Sequence, residues 1–326
     1  MLARIAHELF WLGRNLARAE HTARMLDGLF QADIQGRRDD PAGVTLSWGS
    51  MLAIMGSPPI GAAEARPDQR VVRRDDVLFA LTLDAGNPAS IVACVARARE
   101  GARTVRDVIS AEMWEAINTT NMELADETLG ARLRTGPYGV YQYVKERAAL
   151  FWGLTGRTML RDDASAFLRV GGRIESADMV LRMLRVALPP EVVEGESPAL
   201  DGQALALLQA VGGFQAYRRA VPGPPNALPV ARFLLYERAY PDSVAASVEA
   251  ALDMLQIADV SPRSAEPVLR LSRLAADLEF RGRTDDGSSL AGICELVQQE
   301  LALVDADIAD RYFAGAASPG VVRTTA

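Results

Sequence analysis

Apolar residues near the start of the chain recur in steps of three and four. Leu2, Ile5, Leu9, Leu12, Leu16, Ala19, Ala23, Leu26 and Phe30 fall on one stripe, the pattern of a helix packed along another helix. Phe10, Trp11 and Met25 lie off that stripe, which predicts cover on a second side. The pattern stops at the polar, Gly- and Pro-containing segment from Gln35 to Gly43, where turn chemistry takes over.

The stripe returns later in the chain. Phe167, Val170, Ile174, Ala177, Leu181, Leu184 and Leu188 repeat the spacing from Leu9 to Phe30, with a constant separation of 158 positions (Leu12 to Val170). At the same separation Gly13 matches Gly171, Glu20 matches Asp178, Arg24 matches Arg182, and Met25-Leu26 matches Met183-Leu184. Shared polar positions at one register are harder to reach by chance than a shared apolar period. A second pair of segments agrees: VLFALTLDAGNPASI from Val77 and VARFLLYERAYPDSV from Val230 align Pro88 with Pro241, Ser90 with Ser243 and Leu81 with Leu234. In each, a short apolar helix is expected to end near Asp84 or Glu237, and a Pro in a first helical turn to open a longer one. These matches predict an internal duplication.

The pattern predicts helices at roughly 1–33, 45–55, 74–83, 88–118, 121–133, 138–161, 163–188, 201–220, 228–237, 241–258, 264–280 and 288–313. Loops are expected at GSPPIGAAEARPDQ, PPEVVEGESPALDG and VPGPPNALP. No segment shows the sustained β-branched alternation of strands. The expected fold is all-α: two pseudo-repeated antiparallel helical bundles sharing one core. As one domain over 1–326, it divides into a first repeat (1–135), a connecting helix (136–162), a second repeat (163–313) and a flexible tail (314–326).

Composition narrows the classes of function. The 326 residues include about half apolar and a quarter charged, ordinary globular usage. The net charge is −7 and Lys145 is the only lysine, so the positive charge is arginine, suited to bidentate pairing with carboxylates or phosphates. An acidic chain without basic blocks argues against a general nucleic-acid surface. Arg4, His7, Glu8 and Arg14 break the first segment, which excludes a signal-peptide core there. No stretch reaches the ~20 apolar residues of a membrane span. The expected location is the cytoplasm. Cys94 and Cys294 stand in apolar helical stretches far apart and read as small buried hydrophobes.

Several chemistries are argued against. His7 and His21 are the only histidines, and neither lies three residues after a Glu as a di-iron bundle requires. Two histidines and two cysteines at these spacings assemble no zinc site. No phosphate-cradling loop, dinucleotide fingerprint or nucleophile elbow is present. No cofactor and no metal is expected. The aromatic-rich segment with Tyr138, Tyr141, Tyr143, Phe151 and Trp152 reads as core packing.

The duplicated helix leaves one chemistry open. Glu20 and Asp178 sit among small seam residues, each with an Arg four positions later, Arg24 and Arg182, the favourable acid-first order. Arg14, Arg18, Arg173 and Glu175 lie within one or two turns. If the repeats pack against each other about a pseudo-twofold, these eight groups converge. They then form either an ion-pair network that fixes helix register, or a polar pocket in which Arg holds an anionic group and a carboxylate handles an amine or a proton. Arg106, Asp107, Ser110, Glu112, Trp114, Glu115 and Asn118 form a second polar run. Glu112 and Trp114 are candidates to line the same cleft, against the alternative of a solvated helix face.

At these residues the chain resembles the bacterial alpha-E domain family, helical proteins with a Glu-Arg motif. The resemblance rests on MLARIAHELFWLGRNLARAEHTARMLD, GNPASIVACVARARE with VRDVISAEMWEAIN, LFWGLTGRTMLRDDASAFLRVGGRIESADMVLRML, and FLLYERAYPDSV. These stretches run in family order over nearly the whole chain. The family pattern is roughly Gly-Arg-x-Leu-Glu-Arg-Ala-Glu in the first copy, ending in Asp in the second. Here Gly13, Arg14, Leu16, Arg18, Ala19 and Glu20 match, but Ala17 stands in place of the Glu; Glu175, Ala177 and Asp178 match, but Ser176 stands in place of the Arg. Each copy keeps one half of the pair. Either the copies complement one another in a shared site, or the site is degenerate and a scaffold remains.

Members of this family are encoded beside, or fused to, a circularly permuted ATP-grasp protein, and often a transglutaminase-like peptidase. The resemblance therefore implies a helical partner of an ATP-grasp-type peptide (amide-bond) ligase, acting in peptide synthesis or modification. Two alternatives stand beside it: an enzyme or ligand-binding module using the Arg/carboxylate cluster, and a purely structural helical protein with a degenerate site.

Overall fold

The computed structural model describes residues 1–39, 47–57, 72–188, 198–284 and 289–315. The chain is all-helical, with no strand among the described residues. In order the helices are α1 (Ala3–Asp39), α2 (Trp48–Met55), α3 (Arg74–Thr82), α4 (Ile91–Thr104), α5 (Ala111–Leu124), α6 (Leu129–Thr135), α7 (Pro137–Thr158), α8 (Asp163–Ala187), α9 (Pro198–Ala210), α10 (Phe214–Ala220), α11 (Ala227–Tyr236), α12 (Val244–Ala258), α13 (Glu266–Arg283) and α14 (Leu290–Tyr312). A 3₁₀ turn at Pro262–Ser264 precedes α13.

The two long striped helices, α1 and α8, pack directly on each other at the centre. Glycine makes this approach possible. A Cβ at Gly13 would fall on the carbonyl oxygen of Leu168, and a Cβ at Gly171 on that of Phe10. Gly13 and Gly171 are 158 positions apart, and so are Phe10 and Leu168, so the two contacts are reciprocal. The remaining helices follow the same reciprocity. Helices α4 and α7 pack on α1 as α12 and α14 pack on α8, while α2 leans on α8 and α9 on α1. Each buried residue of α14 (Ile293, Cys294, Val297, Leu301, Val304, Ile308) stands 153 positions after a buried residue of α7 (Val140, Tyr141, Val144, Ala148, Phe151, Thr155). The buried apolar residues form one connected core.

Local signals account for several helix starts. Ser90, Ser110, Ser243 and Ser289 each accept a hydrogen bond from the backbone N–H three residues on, and Asp162 with Ser165 closes a capping box at α8. Five expectations need correction. The helix expected over 88–118 is two, α4 and α5, because Ser110 caps a new helix after the turn at 105–109. The helix expected over 201–220 breaks at Gly212, which takes φ +73°, a left-handed conformation that glycine adopts without strain. Pro88 and Pro241 lie outside their helices, two residues before the capping serines. α1 runs to Asp39, through the start of the segment expected to end it. The segment expected as a helix over 121–133 is the end of α5 and then α6. The loop residues 40–46, 58–71 and 189–197, and the tail from 316, lie outside the described residues.

Candidate functional site

Where α1 crosses α8, the chain buries charge. Glu175 on α8 has no exposed surface. Arg14 donates from Nε to Glu175 Oε2 at 2.9 Å, and Arg18 donates from Nε to Oε1 at 2.5 Å and from Nη2 to Oε2 at 3.0 Å. Arg14 also donates from Nη1 to Asp305 of α14. Its guanidinium lies over the rings of Phe10 and Trp11, at 5.7 and 5.3 Å. Two cations and two carboxylates thus balance. Burial alone would push the Glu175 carboxyl up, but Arg18 and then Arg14 outweigh it and hold the group down at about 2. Asp305 keeps an exposed stem while its Oδ1 is sealed off without a partner. That burial pushes its carboxyl up, with Arg14 pulling the other way. An ionised Glu175 with both oxygens bonded to arginine and no exposed surface has no proton to give and no open face toward a substrate.

The rest of the expected cluster divides into separate pairs. Arg24 donates from Nε and Nη2 to Glu20, both to Oε1, at 3.0 and 2.7 Å. Arg182 donates from Nε to Asp178 Oδ2 at 2.8 Å, and Gln298 donates to Asp178 Oδ1 at 3.0 Å. Arg173 turns away from Glu175, donating to the Pro241 carbonyl at 2.9 Å and facing Asp242 at 3.4 Å. Of the eight groups, only Arg14, Arg18 and Glu175 therefore share one centre. Glu112 and Trp114 are not part of it. Glu112 is exposed on the first turn of α5. The Trp114 ring is covered by Arg99 and Arg106, at 5.6 and 4.7 Å.

The reciprocity of the fold places a second set of positions opposite the charged centre. Steps of 158 positions carry Arg14, Arg18 and Glu175 to Gly172, Ser176 and Ala17; the 153-position step between α7 and α14 carries Asp305 to Trp152. All four of these neutral residues line one cavity of about 340 Å³. Where one side of the crossing holds two ion-paired arginines, the other is hollow. A Cβ at Gly172 would meet the Trp152 ring at 2.7 Å, so that ring occupies the space an arginine side chain would leave through. His21 Nε2 and Ser176 Oγ are hydrogen-bonded at 3.0 Å, and His21 Nδ1 is buried without a partner. Glu20, Arg169, Arg173, Asp242 and Met254 complete most of the wall.

Sequence reasoning singled out Arg14, Arg18 and Glu175 but missed Asp305 and Arg169. Asp305 carries no local signal, because it acts only through a helix more than a hundred residues away. The hollow had one: Ala17 and Ser176, the two departures from the Glu-Arg pair, face the same cavity, while the two retained halves, Arg18 and Glu175, pair with each other. His7 meets Glu8 at 3.4 Å and the Phe313 ring edge-on at 5.3 Å. Cys94 and Cys294 are free and buried, and burial pushes the Cys294 thiol up to about 12. Tyr141 and Phe151 are in the core, whereas Tyr138 is exposed. No helix among the described residues is long and apolar enough to cross a membrane.

Comparison with known proteins agrees with the helical fold. A family described as a predicted alpha-helical domain with a conserved ER motif matches residues 1–313. An uncharacterised protein of Mycobacterium bovis is 25% identical over 260 residues, covering 76% of this chain and 29% of its own length. An uncharacterised protein of Mycobacterium tuberculosis matches with the same identity and coverage. The chain thus spans under a third of the length of the curated relatives it matches. No solved structure matches it.

Proposed function

The chain belongs to the Alpha-E family, and from that premise we propose that it is a helical accessory module of an ATP-grasp-type peptide ligase system. In this reading it binds and positions a circularly permuted ATP-grasp partner or its peptide substrate in the cytoplasm, and the ligase performs the amide chemistry. The observation that carries the non-catalytic part is the closure of the Arg14–Arg18–Glu175 centre. Its charges are spent on joining α1 to α8, as in networks that specify register. The link to a ligase rests on the family resemblance. It draws support from the relatives, in which the matching segment is part of a much longer chain.

The same reading treats the two halves as diverged copies, α1–α7 and α8–α14. The paired close approaches of Gly13 and Gly171 support it. It assigns α7 to the first copy, because α7 packs on α1 and α5 as α14 packs on α8 and α13. The enzyme alternative loses ground, since the carboxylates of the expected cluster are already paired with arginine.

The test starts from neighbouring genes. An ATP-grasp protein encoded there is expected to co-elute with this chain and to form amide bonds faster in its presence. The absence of such a gene, or a monomer that leaves the ligase rate unchanged, overturns the proposal.

A further inference from the structure

The hollow side of the α1–α8 crossing has features that repacking alone does not explain. A charged network that has lost its partners is expected to close over with apolar side chains, because well-packed hydrophobic replacements are at least as stable as the ion pairs they replace. Here the four corresponding positions are Ala17, Gly172, Ser176 and Trp152, which leave about 340 Å³ unfilled. That volume lies in the range of small-molecule pockets, which combine apolar walls with a few fixed polar groups. A fifth position was trimmed in the same way: Ala250 lines the cavity where the 153-position step places Arg97, which in the other half reaches Asn15 and the Pro88 carbonyl.

Positive charge has also moved from the floor to the wall. Arg169 and Arg173 stand where the other half has Trp11 and Asn15. Arg173 is held by the Pro241 carbonyl and Asp242. Arg169 is half-buried and, among the described residues, makes neither an ion pair nor a hydrogen bond. Burial, then the positive charges of Arg173 and Arg161, work against its protonated form and pull it down. A planar guanidinium without a protein partner among the described residues, at the wall of a partly enclosed cavity, is suited to a carboxylate. On the α1 wall, Glu20 uses only Oε1 to hold Arg24, and His21 carries its unpartnered Nδ1. Trp152 and Met254 provide the apolar surface between these polar groups.

We propose that this cavity binds an amino-acid-sized zwitterion, a free α-amino acid or the terminal residue of a short peptide. Arg169 takes the carboxylate, Glu20 Oε2 faces the ammonium, and the side chain lies against Trp152 and Met254. The site goes beyond the accessory role proposed above and does not require it. Binding is measured on this protein alone, so a missing ligase leaves the site standing, and an unoccupied cavity leaves the accessory role standing.

The experiment is a thermal-shift screen of the twenty amino acids and a set of dipeptides at millimolar concentration, followed by calorimetry on the best binder, its carboxamide and inorganic phosphate. The carboxylate form is expected to bind, and the carboxamide to bind about 10- to 100-fold more weakly, the loss of one charge-assisted contact. Arg169→Gln is expected to weaken binding by the same factor while leaving the melting temperature unchanged, since Arg169 supports no other group. The double variant Ala17→Glu with Ser176→Arg is expected to fill the hollow with a second ion pair and abolish binding. Absence of any amino-acid or dipeptide binder overturns the proposal. So does carboxamide or phosphate binding as tight as the carboxylate, or Arg169→Gln binding with wild-type affinity.

Discussion

On one side of the α1–α8 crossing, Arg14, Arg18, Glu175 and Asp305 fill the space with matched charge. On the other, Gly172, Ser176, Ala17 and Trp152 occupy the corresponding positions and leave a cavity. The difference shows how a buried charge network changes. Removing one partner strands the others at a cost of ~3–5 kcal/mol, so a half-dismantled network is the least stable state. This chain holds one side complete and the other cleared of all four charges. Ala17 and Ser176, which lie on different helices, therefore come together at one place.

The strongest way to break this comparison is Glu175→Gln. It leaves Arg14 and Arg18 buried against a neutral amide, and the expected loss is ~3–5 kcal/mol in chemical denaturation. An unchanged midpoint would mean that the charged side is no more dependent on its partners than the hollow side. Next in size are the crossing glycines. Gly13→Ala and Gly171→Ala each force the helices apart against a backbone carbonyl, at an expected ~1–3 kcal/mol or more, and reciprocity requires the two losses to be similar. Gly172→Ala presses instead on the half-buried Trp152 ring, which can shift, so its loss is expected to be smaller.

Acid titration sharpens the contrast further. The folded Glu175 carboxyl lies below its ordinary value, at about 2 rather than 4.5. Its contribution is therefore fully present above about 4.5 and is lost as the pH falls toward about 2. In Glu175→Gln, stability is expected to fall less steeply across that window. It will still fall, because Asp259, held at about 2 by hydrogen bonds from Arg311 and Tyr312, titrates in the same direction. The smallest effect is expected at Glu112→Ala, on the exposed face of α5, within about 0.5 kcal/mol of wild type. A larger loss there would show that the charge of the second polar run matters to the fold.

Much of the fold was legible along the chain. The stripes of α1 and α8 and the shared positions at a 158-residue separation are periodic signals, and they specify an all-helical chain with two similar central helices. The breaks at 105–109 and at Gly212 were not legible, because the apolar period runs on through both. At the site, Arg14, Arg18 and Glu175 stood out by residue type and spacing. The meaning of Ala17 and Ser176 did not, since a missing side chain gives no pattern of its own.

The sequence by itself determined the helices, their apolar faces and the charges the central pair must bury. The tertiary structure alone decided which charges meet. Arg14 reaches Glu175 and Asp305 only because α1, α8 and α14 converge. The cavity exists only because Ala17 of α1, Trp152 of α7, Gly172 and Ser176 of α8 and Ala250 of α12 come to one place. Helix formation depends on neighbours a few residues away, whereas charge pairing and empty volume depend on distances between elements far apart in the chain, and those are set by how the whole core packs.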